Sequence, residues 1–341
     1  MVTNMAEKEL PFPEGYYSFD KSDMKKHLDQ FPNQIREGME LSGQVRVESS
    51  SHIYFFGMGG SGITGDILNT YFFRTGIAVH TIKSYDLPEH IPKGSILIFS
   101  SYSGNTEEVL SCYKQAVRTH NNLVSMSSGG KLEEMAKANR TKHILLPKGL
   151  PPRMTLGYQF FATLTLLEKA GLTNAQGEIQ GLLKNLDPQK LAKMGMELSS
   201  HLKDNIPIVY ASGTYYPLAY RWKTQINENA KVMAFANEFS ELNHNEIMGY
   251  TFIRGNFYGI ILKFDDDHRR IQKRMELMKA IMKKSGVNVT ELALKGSLLT
   301  KLFTAILIGD YTAYYLALRY RIDPSRNKLI DKFKADLGPF V

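Results

Sequence analysis

The stretch "IYFFGMGGSGITGD", residues 53–66, runs from a short apolar segment through a turn of glycines into a helix-spaced pattern. Gly57, Gly59 and Gly62 satisfy G-x-G-x-x-G. Such a turn lets backbone approach a ligand and points the N–H groups of a helix start at an anion. Gly60 and Ser61 are therefore expected to face a phosphate. A dinucleotide site would also need an acid at the end of the next strand, to take a ribose hydroxyl. The next strand-like run, "IAVHTIKSYD", reaches Lys83 and Ser84 instead, and Asp86 falls in the loop before Pro88. Taken alone, the turn leaves dinucleotide binding, another phosphate and a purely structural strand–helix contact all open.

A second turn narrows the choice. "SSYSGNTEE" places Ser101, Ser103 and Thr106 just ahead of the helix-like "EEVLSCYKQAV". Hydroxyls and a helix N-terminus together can donate to all three terminal oxygens of a phosphomonoester. Ser61, Ser101, Ser103 and Thr106 are the expected phosphate ligands, although Ser101 also fits the last position of a buried strand. Asn105 and Glu108 have the spacing of a capping pair at the helix start.

These turns need elements that hold them. "SILIFSSYSGNTEEVL" repeats the scheme of strand, small-residue turn and helix, and "NLVSMSSGGKLEEMAKA" repeats it again. Strands alternating with helices predict a doubly wound parallel sheet. The second half does the same in "IPIVYASGTYYPLAYRWKTQI", "FYGIILKFDDDHRRIQKRMELM" and "VNVTELALKGSLLTKLF". Its turns carry Tyr215, Tyr216, Asp265, Asp266 and Asp267, which would repel a phosphate, so one phosphate site per chain is expected. "GLTNAQGEIQGLLKNLDPQK" reads as a helical connection between the halves, and the division is placed near residue 195.

Composition sets outer limits. The 341 residues are 43% hydrophobic and 22% charged, enough for two domains with real cores. The single cysteine, Cys112, excludes a disulfide framework. The N-terminal "MVTNMAEKELPFPEG" lacks the apolar run of a signal peptide, and "LFTAILIGDYTAYYLAL" is broken by Asp310 and three tyrosines. The expectation is a cytoplasmic protein without a membrane span. Net charge is +8, but the basic residues are scattered, so no nucleic-acid partner is expected and an anionic small molecule fits. His52, His80, His90 and His143 show no metal-ligand spacing, nor does His244 with Glu246.

The order "GMGGSG … SYSGNT" resembles the sugar isomerase (SIS) domain, whose turns hold the phosphate of a phosphosugar. Four further motifs are similar to those of the bifunctional phosphoglucose/phosphomannose isomerase family. They are "GLPPR" at 149–153, "NENAK" at 227–231, "NEFSELNHNEI" at 237–247 and a terminal "DP … FK". The resemblance spans essentially the whole chain. It implies two doubly wound α/β SIS domains in tandem, with helices on both faces of each parallel sheet, over 1–195 and 196–341. It also implies an aldose–ketose isomerase acting on glucose and mannose 6-phosphate.

In such an enzyme a carboxylate shuttles a proton between C1 and C2 through an enediolate. The resemblance gives that role to Glu228 and stabilisation of the enediolate to Arg153, on a turn stiffened by Pro151 and Pro152. His244, between Asn243 and Asn245 that could orient its ring, opens the sugar ring. An assisting lysine is Lys334 rather than Lys332 when Asp323-Pro324, Ile330 and Phe333 are aligned. No cofactor and no metal is expected, and a homodimer with the site at its interface is. Three other readings are a phosphosugar sensor without turnover, an isomerase of another phosphosugar, and an NAD-dependent oxidoreductase. The second hydroxyl-rich turn and the missing acid disfavour the last.

Overall fold

The computed structural model describes residues 12–338. Helices α1 (Met24–Asp29) and α2 (Phe31–Leu41) precede β1 (His52–Phe56), α3 (Gly59–Phe72), β2 (Ala78–Ile82) and β3 (Ile96–Ser100). Then come α4 (Glu107–Ala116), β4 (Leu123–Ser127), α5 (Gly130–Ala138) and β5 (Lys142–Leu145). The five strands make one parallel sheet in the order β2-β1-β3-β4-β5. Every residue of β3 and β4 is buried, as in a sheet covered on both faces. The chain leaves β1 in one direction and returns at β3 on its other side. A crevice therefore opens beyond the carboxyl ends of these two strands, where open parallel sheets bind ligands. "GMGGSG" and "SSYSGNT" sit at that point.

Helices α6 (Leu156–Lys169), α7 (Gln176–Asn185) and α8 (Pro188–Leu202) link this sheet to a second one. The second comprises β6 (Ile206–Ser212), β7 (Phe235–Phe239), β8 (Phe257–Phe264) and β9 (Asn288–Leu294), parallel throughout. Its order, β7-β6-β8-β9, repeats that of the first four strands of the first sheet. Helices α9 (Tyr216–Gln225), α10 (Arg269–Lys284), α11 (Leu298–Arg319) and α12 (Lys328–Leu337) complete the chain. Position 195 lies inside α8, which Asp187 caps by accepting from Gln189 and Lys190 N–H at 3.1 Å.

One continuous apolar core joins both sheets, through Phe55 and Ile98, Phe160 and Phe161 of α6, Trp222 of α9, and Phe303 of α11. Helix α11 packs on α8, α9 and the turn that follows α9. Gly309 makes the close α9 approach possible, since a Cβ there would lie 2.5 Å from the Trp222 ring. The Trp222 indole N–H donates to Ala305 O at 2.8 Å, so burial strands no donor. Asp310, which interrupts the apolar run of α11, pairs with Arg221 at 2.7 Å, both almost wholly buried. No helix among the described residues is long and apolar enough to cross a membrane.

One local expectation fails. Thr106, not Asn105, is the residue before α4, and no side chain caps it. Asn105 instead accepts from Lys131 N–H at 3.1 Å, holding the first turn of α5 against the second phosphate-type turn. Its side chain finds a better-placed orphan donor on the neighbouring helix than on its own.

Candidate active site

The crevice at β1 and β3 continues into a cavity of about 790 Å³. Gly59, Gly60, Ser61, Ser103 and Thr106 form one side; Arg153, Glu228 and Lys334 line it too. Ser61 Oγ accepts from Tyr102 N–H at 3.2 Å, so the two turns are tied to each other. Ser103 is exposed, and its oxygen accepts from Asn105 N–H at 3.2 Å, which engages a lone pair and not the O–H hydrogen. Ser101 is 1% exposed and does not line the cavity. It stands behind Thr106, with the two hydroxyl oxygens 2.8 Å apart. It directly follows β3, one residue beyond the strand-end position of the alternative reading, and its oxygen also accepts from Thr106 N–H at 3.3 Å.

Arg153 lies on a single 3₁₀ turn, Pro152–Met154, that packs on α3. The contact is tight: a Cβ on Gly60 would come within 2.7 Å of Arg153 Cα. Only glycine allows the turn to sit there. Tyr102, which the sequence reading passed over, positions the approach to that turn. Its hydroxyl donates to Pro147 O at 2.8 Å and accepts from Leu150 N–H at 3.0 Å.

The Arg153 guanidinium is 4% exposed and has four partners. Nε donates to Asn229 Oδ1 at 2.6 Å, and Nη2 to Pro324 O at 2.7 Å and Ser325 O at 3.1 Å. Nη1 reaches Glu228 Oε2 at 3.5 Å. Burial lowers its pKa from the ordinary value, with Glu228 opposing and Arg221 adding to the effect. An arginine so held is a fixed cation with one donor turned to the reacting face, which suits preorganised stabilisation of an anion.

Glu228 lies in a π-helical turn, Ile226–Ala230, that ends α9. Single π turns are frequent at functional sites, because the extra residue re-aims a side chain. Here Glu228 Oε2 accepts from Asn327 Nδ2 at 3.0 Å as well as from Arg153. The carboxylate is 29% exposed, open to the cavity and fixed from behind. Lys334, exposed on α12, lines the same cavity, while Lys332 does not. The sequence singled out "NENAK" and "DP … FK" but missed that Asn229, Pro324, Ser325 and Asn327 hold Arg153 and Glu228. Nothing in their types marks them, since the contacts join segments between 76 and 172 residues apart.

His244 stands elsewhere. It ends a short 3₁₀ turn after the edge strand β7, is exposed, and lines neither this cavity nor the one behind Glu228. The flanking asparagines do not orient its ring, contrary to expectation. Asn245 donates to Glu241 at 2.6 Å and accepts from Glu246 N–H, while Asn243 accepts from Arg274 at 3.3 Å. The Asn245 amide fixes the turn itself, and the Asn243 oxygen ties it to α10.

The corresponding crevice of the second sheet is closed to anions. Lys301 pairs with Asp265 at 2.9 Å and Asp266 at 2.5 Å, and Tyr215 donates to Asp266. Asp267 accepts from Ser212 Oγ at 2.5 Å and Phe264 N–H at 2.8 Å. Among the described residues no three His, Cys, Asp or Glu side chains gather as metal ligands would.

Residues 192–337 match the model of the bacterial phospho-glucose isomerase C-terminal SIS domain. A bifunctional phosphoglucose/phosphomannose isomerase of Caldicellulosiruptor bescii is 37% identical over 339 residues, 92% of this chain and 99% of that one. The chain belongs to this family. A second member, from Thermoplasma acidophilum, is 33% identical over 317 residues, 91% of this chain and 98% of its own. The fold is also that of the C-terminal domain of glucosamine-fructose-6-phosphate aminotransferase from Francisella tularensis. The TM-score is 0.69 at 14% identity, covering 90% of this chain and 98% of that one.

Proposed function

We propose that this chain interconverts glucose 6-phosphate and mannose 6-phosphate with fructose 6-phosphate through a cis-enediolate. The observation that carries the proposal is the placement of Glu228 and Arg153, 3.5 Å apart, in the cavity that Ser61, Ser103 and Thr106 line. The turns take the phosphate, with Ser101 supporting Thr106. Glu228 removes the proton from C2 and returns it to C1, and Arg153 faces the oxygens that gain charge. Glucose and mannose 6-phosphate differ only at C2 and lose that difference in the shared enediolate, so one site accepts both. Lys334, on α12, lines the same cavity and assists the reaction. Neither a metal nor a cofactor takes part.

The repeated strand order supports two SIS domains, and the matched segment beginning at 192 supports a division near residue 195. Ring opening falls to His244, supplied by the partner subunit of a homodimer. Met248 and Phe252, exposed in the segment that carries His244, are the kind of surface a partner covers. The deciding assay is formation of fructose 6-phosphate from each aldohexose phosphate, with and without a chelator. Equal rates with chelator are expected. Loss of activity that zinc restores overturns the metal-free route, and no product from either sugar overturns the function itself.

A further inference from the structure

Lys231 directly follows the π-helical turn and has a left-handed backbone, φ 60°. The residue is exposed, yet its ammonium folds back over the chain. Nζ donates to the carbonyl of Glu228, to Asn327 Oδ1 at 2.9 Å and to Pro324 O at 3.4 Å. An ammonium has three donors and no acceptor, so it can face only the oxygen of the Asn327 amide. The NH₂ end of that amide is then left on Glu228 Oε2, at 3.0 Å. Turned half a revolution, the amide would set its NH₂ against an ammonium and its oxygen against a carboxylate. Both contacts are repulsive.

We infer that Lys231 is a positioning residue for Glu228, which by fixing the orientation of the Asn327 amide keeps an N–H donor aimed at the carboxylate that moves the proton. The inference rests on the proposed role of Glu228. The donor converges with Arg153 on Oε2 and fixes the carboxylate, so that Oε1 stays free for the substrate. Lys231 and Arg153 also share the Pro324 carbonyl, which anchors the 323–327 segment from both sides.

The arrangement is sensitive to pH. Partial burial and the Arg153 charge push the Lys231 ammonium down to about 8, against Asp323 and Glu228, which pull it up. Lys21, Arg326 and Lys328 line, together with Lys231, Asp323 and Glu228, the second cavity of about 850 Å³ behind Glu228. Once neutral, the amine can accept as well as donate, and the amide is no longer held one way. Turnover falls as pH rises through that value.

The test compares wild type, Lys231→Met, Lys231→Arg and Glu228→Gln. Each is assayed for kcat and KM on glucose 6-phosphate from pH 6 to 10, with thermal unfolding alongside. Lys231→Met is expected to lose about tenfold to a hundredfold in kcat, with KM within about twofold and no alkaline limb near pH 8. Lys231→Arg keeps a donor that does not titrate in this range. It should retain most of kcat and lose the alkaline limb. An unchanged kcat and alkaline limb in Lys231→Met, with Glu228→Gln inactive, overturns the inference alone. A parallel fall in kcat and unfolding temperature with the alkaline limb retained means a structural role, and overturns it too. Activity surviving in Glu228→Gln would instead refute the role of Glu228 on which the inference stands.

Discussion

Glu228 is held from behind on one side only. Asn327 and Arg153 both converge on one oxygen, Oε2, leaving Oε1 to meet the substrate. Glu228→Gln keeps the shape and removes the proton acceptor. The loss should therefore appear in kcat, by roughly a thousandfold or more, with phosphosugar affinity nearly intact. Steady-state kinetics with a separate binding titration checks this, and a variant keeping a tenth of wild-type turnover would mean another base. Ser103→Ala acts at the other end of the substrate. Removing one phosphate donor costs about 1–3 kcal/mol, so KM should rise about fivefold to a hundredfold, with a smaller fall in kcat. An unchanged KM for phosphosugar would remove Ser103 from the phosphate site. The types of Glu228, Arg153 and Ser103 were legible because motifs carried them. Asn327 and Lys231 were not legible as a unit, since their meeting depends on a strap that returns from the far end of the chain.

Elements make these placements rigid. Helix α3 begins at Gly59, and its first turn bears directly on the turn that carries Arg153. Gly60→Ala would place a methyl 2.7 Å from Arg153 Cα and 2.9 Å from Pro152 O, both backbone atoms that cannot rotate away. The strain is expected to cost about 1–3 kcal/mol of stability. A shift of Arg153 by about 1 Å should also lower kcat/KM by roughly a hundredfold. Gly177→Ala in α7, where a Cβ meets nothing within 4 Å, is the control and should be nearly neutral in both respects. Denaturant unfolding and kcat/KM measure the two effects, and wild-type kcat/KM in Gly60→Ala would show that Arg153 tolerates displacement. Seven of the nine described strands were legible as strand-like runs, but the edge strands β5 (KHIL) and β7 (FANEF), only partly apolar and partly exposed, were not. Cap assignments were less legible. Asn105 sits at the sequence position of a cap, but the nearest unpaired donor belongs to α5, and only the packing of two turns decides between them.

At the scale of the whole molecule the question is which chain completes the cavity. His244 ends the turn after edge strand β7, and its flanking asparagines bond Glu241 and Arg274 rather than its ring. The imidazole is exposed and lies outside the walls of the cavity that holds Glu228. On the proposed ring-opening role of His244, the imidazole comes to the cavity from a second copy of the chain. Glu228→Gln and His244→Ala proteins, each expected to be inactive, can be mixed and allowed to exchange subunits. In a mixed dimer one site receives both defects and the other receives neither. About half of the dimers in an equal mixture are mixed, and each holds one sound site of two. Activity should then recover to roughly a quarter of that of the same amount of wild type. If both residues served one chain's site, every site would keep a defect and exchange would restore nothing. Mass measurement of the exchanged dimers, beside the assay, separates failure to exchange from failure to complement, and full exchange without recovery would place His244 outside the shared site.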